Sequence, residues 1–297
     1  MSVEVELRGV TLRYGKTTAL DRLSLRLGTS QIHGLLGRNG SGKTSLLSLV
    51  AAFRRATSGE VLVDGEPVFE NPSAARKVCL IRGAGDTVQH DWPGDRVRDA
   101  LAFAAAVRPL WDDDLAGALV ERFALPLRTH LPQLSRGQRS ALGVTLGLAS
   151  RAPLTIFDES YLGMDAPSRY EFYDALLSDF MAHPRTIVLA THLIQEVAAL
   201  FEHVTIIDAG RLVLQAPAED LRARGTSVMG PARAVEHFVD GLEVLATTRL
   251  GPTTSTTVFG ELDDGRRREA SAAGLELGPV ALQDMFVHLT KTAGRSS

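Results

Sequence analysis

Residues 37–44 read Gly37-Arg38-Asn39-Gly40-Ser41-Gly42-Lys43-Thr44, the pattern G-x-x-x-x-G-K-[ST]. No other stretch limits the fold as much. Ile32–Leu36 before it is a continuous apolar run, the mark of a strand buried on both faces. Thr44–Phe53 after it reads as a helix. A buried strand, a glycine-rich loop and a helix N-terminus together make a phosphate cradle. Gly40 and Gly42 let the backbone curl so that successive N–H groups face phosphate oxygens. The helix start adds the positive end of its dipole. Lys43 is placed to reach β- and γ-phosphates, and Thr44 to offer a hydroxyl to Mg²⁺. An accidental glycine turn would match the letters but lack the strand–loop–helix context.

The rest of the chain alternates strands with helices. Val3, Val5 and Leu7, continued by Val10, Leu12 and Tyr14, have the period of a half-buried strand. Leu23, Leu25 and Leu27 give another, and Asp64-Gly65 reads as a hairpin between Val61–Val63 and Val68–Phe69. Helices are expected at Arg98–Val107, Asp114–Phe123, Ser140–Ala149, Ser168–Met181 and Ile194–Phe201. Gly143 and Gly147 weaken the third of these. Strands are expected at Val78–Ile81, Leu154–Phe157 and Thr186–Ala190, and a hairpin at Val204–Ile207 with Arg211–Leu214. This order predicts an α/β domain with antiparallel pieces at its start. After about Leu221 the texture changes: strands at Glu243–Leu250 and Ser255–Leu262, a turn at Asp263-Asp264-Gly265, and a helix opened by Pro279 with Leu282, Met285, Phe286 and Leu289 on one face. The expected division is 1–221, then a small α+β domain at 222–291, then a tail at 292–297.

Leu154-Thr155-Ile156-Phe157-Asp158-Glu159 is an apolar strand ending in two carboxylates. Asp158 is placed to hold Mg²⁺ through water, and Glu159, facing another way, to polarise an attacking water. Alone, this could be a strand followed by an acidic turn; the phosphate loop gives it weight.

The chain has 297 residues and a formal net charge of −3, which gives no general attraction to nucleic acid or anionic lipid. Cys79 is the only cysteine, which excludes an intrachain disulfide and fits a reducing compartment. No run of about 18 apolar residues occurs, so any membrane span must come from a partner. Ala100–Val107 and Ala141–Ala149 read as packed helices. Met1–Leu7 alternates acidic and apolar residues and shows no signal peptide.

Leu134-Ser135-Arg136-Gly137-Gln138 closely resembles the signature of the ATP-binding cassette family, with Arg136 where glycine is most common. From the residues alone, Ser135 also reads as the N-cap of the following helix. Other positions are in register with the family. Tyr14 falls where the family stacks a ring on adenine, although a strand tyrosine can also pack on the core. Leu162-Gly163-Met164-Asp165 resembles the loop that crosses to a partner subunit, and His192 the histidine that contacts the γ-phosphate. The resemblance covers roughly residues 3–220. It implies a phosphate-loop NTPase cassette with a RecA-like core, an antiparallel β subdomain and a helical signature subdomain at about 84–150. It further implies an ATPase using ATP and Mg²⁺, with Lys43, Glu159 and His192 as its catalytic groups. Residues 157–214 resemble the cassettes of bacterial multidrug or antibiotic export systems.

Such cassettes pair as a sandwich, so ATP at Gly37–Thr44 of one subunit would meet Ser135–Gln138 and Asp165 of another. A separate transmembrane permease would hold the pair at the inner face of the cell membrane, with residues Gly83–Trp92 transmitting motion. Two departures stand out. Gly83 occupies the position where the family usually has a glutamine touching metal and permease, with Gln89 six residues later. Ser160 replaces a common proline. Gly83 leaves open a regulatory cassette that binds ATP with little hydrolysis. A cassette acting on DNA or ribosomes is disfavoured, since residues 44–134 carry no sustained heptads.

Overall fold

The computed structural model describes residues 2–83 and 96–293. The chain divides into two compact units, Met1–His192 with Ile207–Leu212, and Leu193–Ile206 with Val213–Ser297.

In the first unit, β1 (Val5–Tyr14) pairs antiparallel with β2 (Thr17–Leu27) and with β4 (Ser58–Val63). Val5, Leu7 and Val10 point into the core, as their spacing predicts. The Asp64-Gly65 hairpin forms, but its second strand, β5, is only Glu66–Pro67. Val68 is not part of that strand; it is buried and donates its N–H to Val61.

β3 (Ile32–Leu36), α1 (Lys43–Val50), α2 (Pro72–Arg76) and β6 (Val78–Arg82) follow. Then come α3 (Val97–Val107), α4 (Asp113–Arg122), α5 (Arg136–Ala149), β7 (Leu154–Asp158), α6 (Ala166–Ala182) and β8 (Thr186–Thr191). Strands β3, β8, β7 and β6 lie side by side in parallel register. With β9 (His203–Asp208) and β10 (Arg211–Pro217) the sheet has six strands, in the order β10-β9-β3-β8-β7-β6. Every residue of β3, β7 and β8 is buried, which is why these segments read as unbroken apolar runs.

Two helix expectations change. α5 starts at Arg136, earlier than the apolar pattern, because Ser135 and Gln138 form a reciprocal capping box. α3 forms where expected but is only half-buried: Val97 alone is fully buried, Ala100, Leu101, Ala104 and Ala105 are partly covered, and Phe103 is 64% exposed. Of the expected 84–150 helical region, residues 84–95, with Gln89 and Trp92, lie outside the described residues.

The second unit contains the short helix α7 (Ile194–Val197), followed by a 3₁₀ turn at Ala198–Leu200 where one longer helix was expected. After α8 (Ala218–Arg224), strands β11 (Gly225–Pro231), β12 (Glu243–Leu250), β13 (Thr253–Phe259) and β14 (Glu276–Pro279) form an antiparallel sheet of order β12-β13-β11-β14. Helices α9 (Ala232–Phe238), α10 (Asp264–Ala272) and α11 (Leu282–Ala293) complete it. Asp263 is not part of a turn: it caps α10, accepting from Arg266 N–H at 2.7 Å. Pro279 does not open a helix: it ends β14, opposite Thr226. Edge strands tolerate proline, which has no N–H to contribute to a ladder.

Candidate active site

The loop between β3 and α1 is built as the spacing requires. Gly42 has φ 104°, and a Cβ there would lie 2.7 Å from the Ala19 carbonyl oxygen. Only glycine suits both the left-handed backbone and the close approach to β2. Lys43 is buried, and its Nζ donates to the carbonyls of Gly37 at 2.7 Å and Arg38 at 3.3 Å. The ammonium is thus folded over the mouth of the loop. Ser41 Oγ is buried with no hydrogen-bond partner among the described residues. A concave loop with an orphaned hydroxyl and a lysine over it fits a phosphate chain. Arg38, Asn39, Gly40 and Thr44 are exposed on the same segment.

The turn at Asp208-Ala209-Gly210 braces this loop, and sequence patterns gave it no role beyond a hairpin. Gly210 N–H donates to the Ser41 carbonyl at 2.9 Å, while the Gly210 carbonyl accepts from Asp21 N–H at 3.0 Å. Arg211 clasps Asp21 at 2.6 Å and holds its carboxyl below the usual range.

At the end of β7 the two carboxylates separate as expected. Asp158 is buried and hydrogen-bonded to Thr44. Burial chiefly pushes its carboxyl above the ordinary range, with Glu159 adding to the rise; Thr44, Lys43 and Arg82 pull the other way. This pairing of hard oxygens beside the phosphate cradle suits Mg²⁺, which takes few protein ligands besides phosphate and water. Glu159 has φ 51°, the left-handed region that a non-glycine residue seldom occupies. Its Oε1 lies 3.0 Å from His192 Nδ1 and 3.7 Å from Lys43 Nζ. The structure therefore brings Lys43, Thr44, Asp158, Glu159 and His192 together from the ends of β7 and β8 and the start of α1.

Tyr14 is 39% exposed at the end of β1, so it is not a core residue. Its hydroxyl is 3.4 Å from Ser45 Oγ, and the Arg54 guanidinium lies 4.9 Å from its ring centroid. Arg54 had no sequence signal, because a cation over a ring is a product of folding.

The signature lies elsewhere. Ser135 Oγ accepts from Gln138 N–H at 3.1 Å, and Gln138 Oε1 accepts from Ser135 N–H at 2.9 Å. Gly137 faces the Gly163 carbonyl, and Asp165 caps α6 by accepting from Ser168 N–H at 3.0 Å. A hydrogen bond from the Ser168 hydroxyl, and after it the one from the Ser168 N–H, hold the Asp165 carboxyl below its usual range. A cavity of about 310 Å³ is lined by Phe123, Gly137, Gln138, Met164, Asp165 and Ser168. Among the described residues, no hydrogen bond or ion pair links 135–138 with 37–44. Arg136 is exposed.

Residues 20–161 match the sequence model of the family described as ABC transporter. The Nod factor export ATP-binding protein I of Cupriavidus pinatubonensis is 30% identical over 298 residues, covering 96% of this chain and 90% of that protein. The chain belongs to the ABC transporter family. It is an ATP-binding subunit, an ATPase whose turnover powers transport. The daunorubicin resistance ATP-binding protein DrrA3 of Streptomyces coeruleorubidus is 28% identical over 306 residues, covering 96% of this cassette and 95% of its own length. Among solved structures, an ATP-binding subunit of an ABC transporter superposes with a TM-score of 0.65 at 19% identity, covering 73% of this cassette and 91% of that chain. That likeness places the cassette fold in the α/β architecture described above, parallel and antiparallel sheets included.

Proposed function

We propose that this cassette powers export through a separate transmembrane subunit, with two cassettes enclosing ATP between them. The observation that carries the hydrolytic part is the Glu159 carboxylate, held 3.0 Å from His192 and 3.7 Å from Lys43 at the edge of the phosphate cradle. Adenine stacks on the face of Tyr14 that Arg54, lying over the ring, leaves free. The backbone of Gly37–Thr44 receives the phosphates. Lys43 leaves the carbonyls of Gly37 and Arg38 and turns to the β- and γ-oxygens. Thr44 and Asp158 would hold Mg²⁺, which would supply positive charge against the phosphates. Glu159 accepts a proton from the attacking water while His192 orients it and lies near the γ-phosphate.

The site needs a second cassette. In this subunit the capped hydroxyl of Ser135 and the N–H groups at the start of α5 make no bond to the phosphate loop. They would close on the γ-phosphate of a partner's ATP, with Arg136, Gly137 and Gln138 around it and Asp165 beside the seam. Export is favoured because relatives named for daunorubicin resistance and Nod factor export cover 96% of this chain. Relatives named for aliphatic sulfonate import and taurine import cover 89% and 78%. No helix among the described residues is long and apolar enough to cross a membrane. On this reading the cassette sits at the cytoplasmic face of the cell membrane, held there by its permease.

Glu159→Gln tests the assignment. It keeps the side chain's shape and removes the base. Turnover should fall by about 10²–10⁴-fold while ATP binding persists. Undiminished steady-state ATPase would sink the role given to Glu159.

A further inference from the structure

Gly83 follows β6, and β6 pairs in parallel with β7 so that Arg82 lies beside Asp158. Gly83 therefore abuts the backbone of Glu159. A Cβ added at Gly83 would lie 2.9 Å from the Glu159 carbonyl oxygen, 3.2 Å from its carbonyl carbon and 3.3 Å from the Asp158 oxygen. These are backbone atoms and cannot swing aside as a side-chain tip can. They are also tied down. Glu159 N–H donates to the Ala190 carbonyl at 3.0 Å, and the Glu159 carbonyl accepts from Leu162 N–H at 3.3 Å. Between these bonds the residue holds its left-handed φ of 51°. Moving the carbonyl away from a Cβ means turning that peptide or displacing Glu159 Cα, and a displaced Cα carries the carboxylate with it.

We propose that Gly83 is a positioning residue for Glu159. The space without a side chain at the end of β6 lets the left-handed turn stand and aims the carboxylate at His192 and Lys43. The proposal rests on Glu159 being the catalytic base. It reverses the meaning of the glutamine that relatives of this type usually carry here. In this chain the glycine is a requirement of the turn and not a sign of lost activity.

The test compares Gly83→Ala and Gly83→Gln with the unaltered full chain. It measures kcat and KM for Mg·ATP, equilibrium binding of a fluorescent ATP analogue, and the thermal midpoint. A small misplacement of a catalytic group costs about 10- to 100-fold in rate. That loss is expected in kcat for Gly83→Ala, and at least as much for Gly83→Gln, with analogue affinity and midpoint unchanged. In a Glu159→Gln background, Gly83→Ala should remove nothing further from the residual turnover. Wild-type or higher kcat in either variant overturns the proposal; for Gly83→Gln it would mark the glycine as a true loss of function. Equal losses of kcat and analogue binding overturn it as well, since they mean a general collapse of the site. Gly83→Ala adds one methyl group and gives the reading if Gly83→Gln misfolds. Undiminished turnover in Glu159→Gln alone is a separate result, which removes the base itself and not its positioning.

Discussion

Two glycines one turn apart in α5 should respond oppositely to the same methyl group. A Cβ on Gly147 would lie 2.5 Å from Phe157 Cε1, 2.9 Å from Phe157 Cζ and 2.8 Å from Ile81 Cγ1. Ordinary carbon contacts are about 3.5–4.0 Å, so the Phe157 ring must retreat by roughly 1 Å. It has nowhere to go: Phe157 is fully buried and meets Phe172 edge-on at a centroid distance of 5.2 Å. Overpacking of this kind costs about 1–3 kcal/mol. Replacing a helical glycine with alanine gains roughly 1 kcal/mol. Packing wins at Gly147, for a net loss of up to about 2 kcal/mol, or up to about 8 °C in the thermal midpoint. At Gly143 the added Cβ meets only Ile81 Cγ2, at 3.1 Å. That is a single methyl at a distance that needs only a few tenths of an ångström of give, so the propensity gain survives. Gly143→Ala should unfold at the same temperature as the parent or up to about 3 °C higher. Thermal and urea unfolding of the two variants and the parent decide the matter. Because Phe157 precedes Asp158, Gly147→Ala should also lower kcat. If Gly147→Ala proves as stable as Gly143→Ala, the packing argument fails.

Asp158→Asn should stabilise the nucleotide-free protein while weakening Mg²⁺-dependent ATP binding. Burial raises the Asp158 carboxyl above its unfolded value, so the ionised form is penalised in the folded state. Its stabilising contribution is complete below the unfolded pKa and is lost as pH rises through the folded one. At neutral pH the neutral amide should therefore give the higher thermal midpoint, and an unchanged or lower midpoint refutes this. Tyr14→Ala should raise KM for ATP by about tenfold, the loss of one stacking contact of about 1–3 kcal/mol, and leave kcat close to the parent. A KM unmoved by Tyr14→Ala would remove the ring from the binding site.

The chemistry of the cassette was legible because each part of it is local in sequence. The phosphate loop needs one strand, one loop and one helix start, all contiguous. Asp158 and Glu159 are adjacent, and alternation of faces already separates their directions. Partnerships were less legible. The lid of Arg54 on Tyr14 and the brace of Gly210 under Ser41 join residues far apart in the chain. The second unit was read least well, for specific reasons. Asp263-Asp264-Gly265 carries residues that favour turns and helix caps for the same cause, a short side chain that bonds nearby backbone. α10 buries only Ala270, so no apolar period announces it. β11 contains glycine and ends in proline, yet forms because β13 and β14 pair with it on either side. Pairing of that kind overrides weak propensity.

Glycine is where reading from sequence alone most easily takes the wrong sign. Gly143 and Gly147 count against a helix, and Gly83 counts as a missing glutamine, if each is judged by what it lacks. In the folded chain two of these spaces are filled by another group. The Phe157 ring stands where a Gly147 side chain would be, and the Glu159 carbonyl stands where a Gly83 side chain would be. Both groups belong to one short stretch, Phe157-Asp158-Glu159. Gly147 approaches it from α5, the helix that carries the signature at its start, and Gly83 from the end of β6. The acidic strand end is thus closed in on two sides at backbone or ring distance. Such closeness holds Glu159 in a left-handed conformation that costs about 1–3 kcal/mol when unsupported. The same fit makes the base sensitive to small changes in elements that carry none of its chemistry. A methyl group on either glycine should reach Glu159 through packing alone, and the variants at Gly83 and Gly147 should both lower kcat while the phosphate loop is untouched.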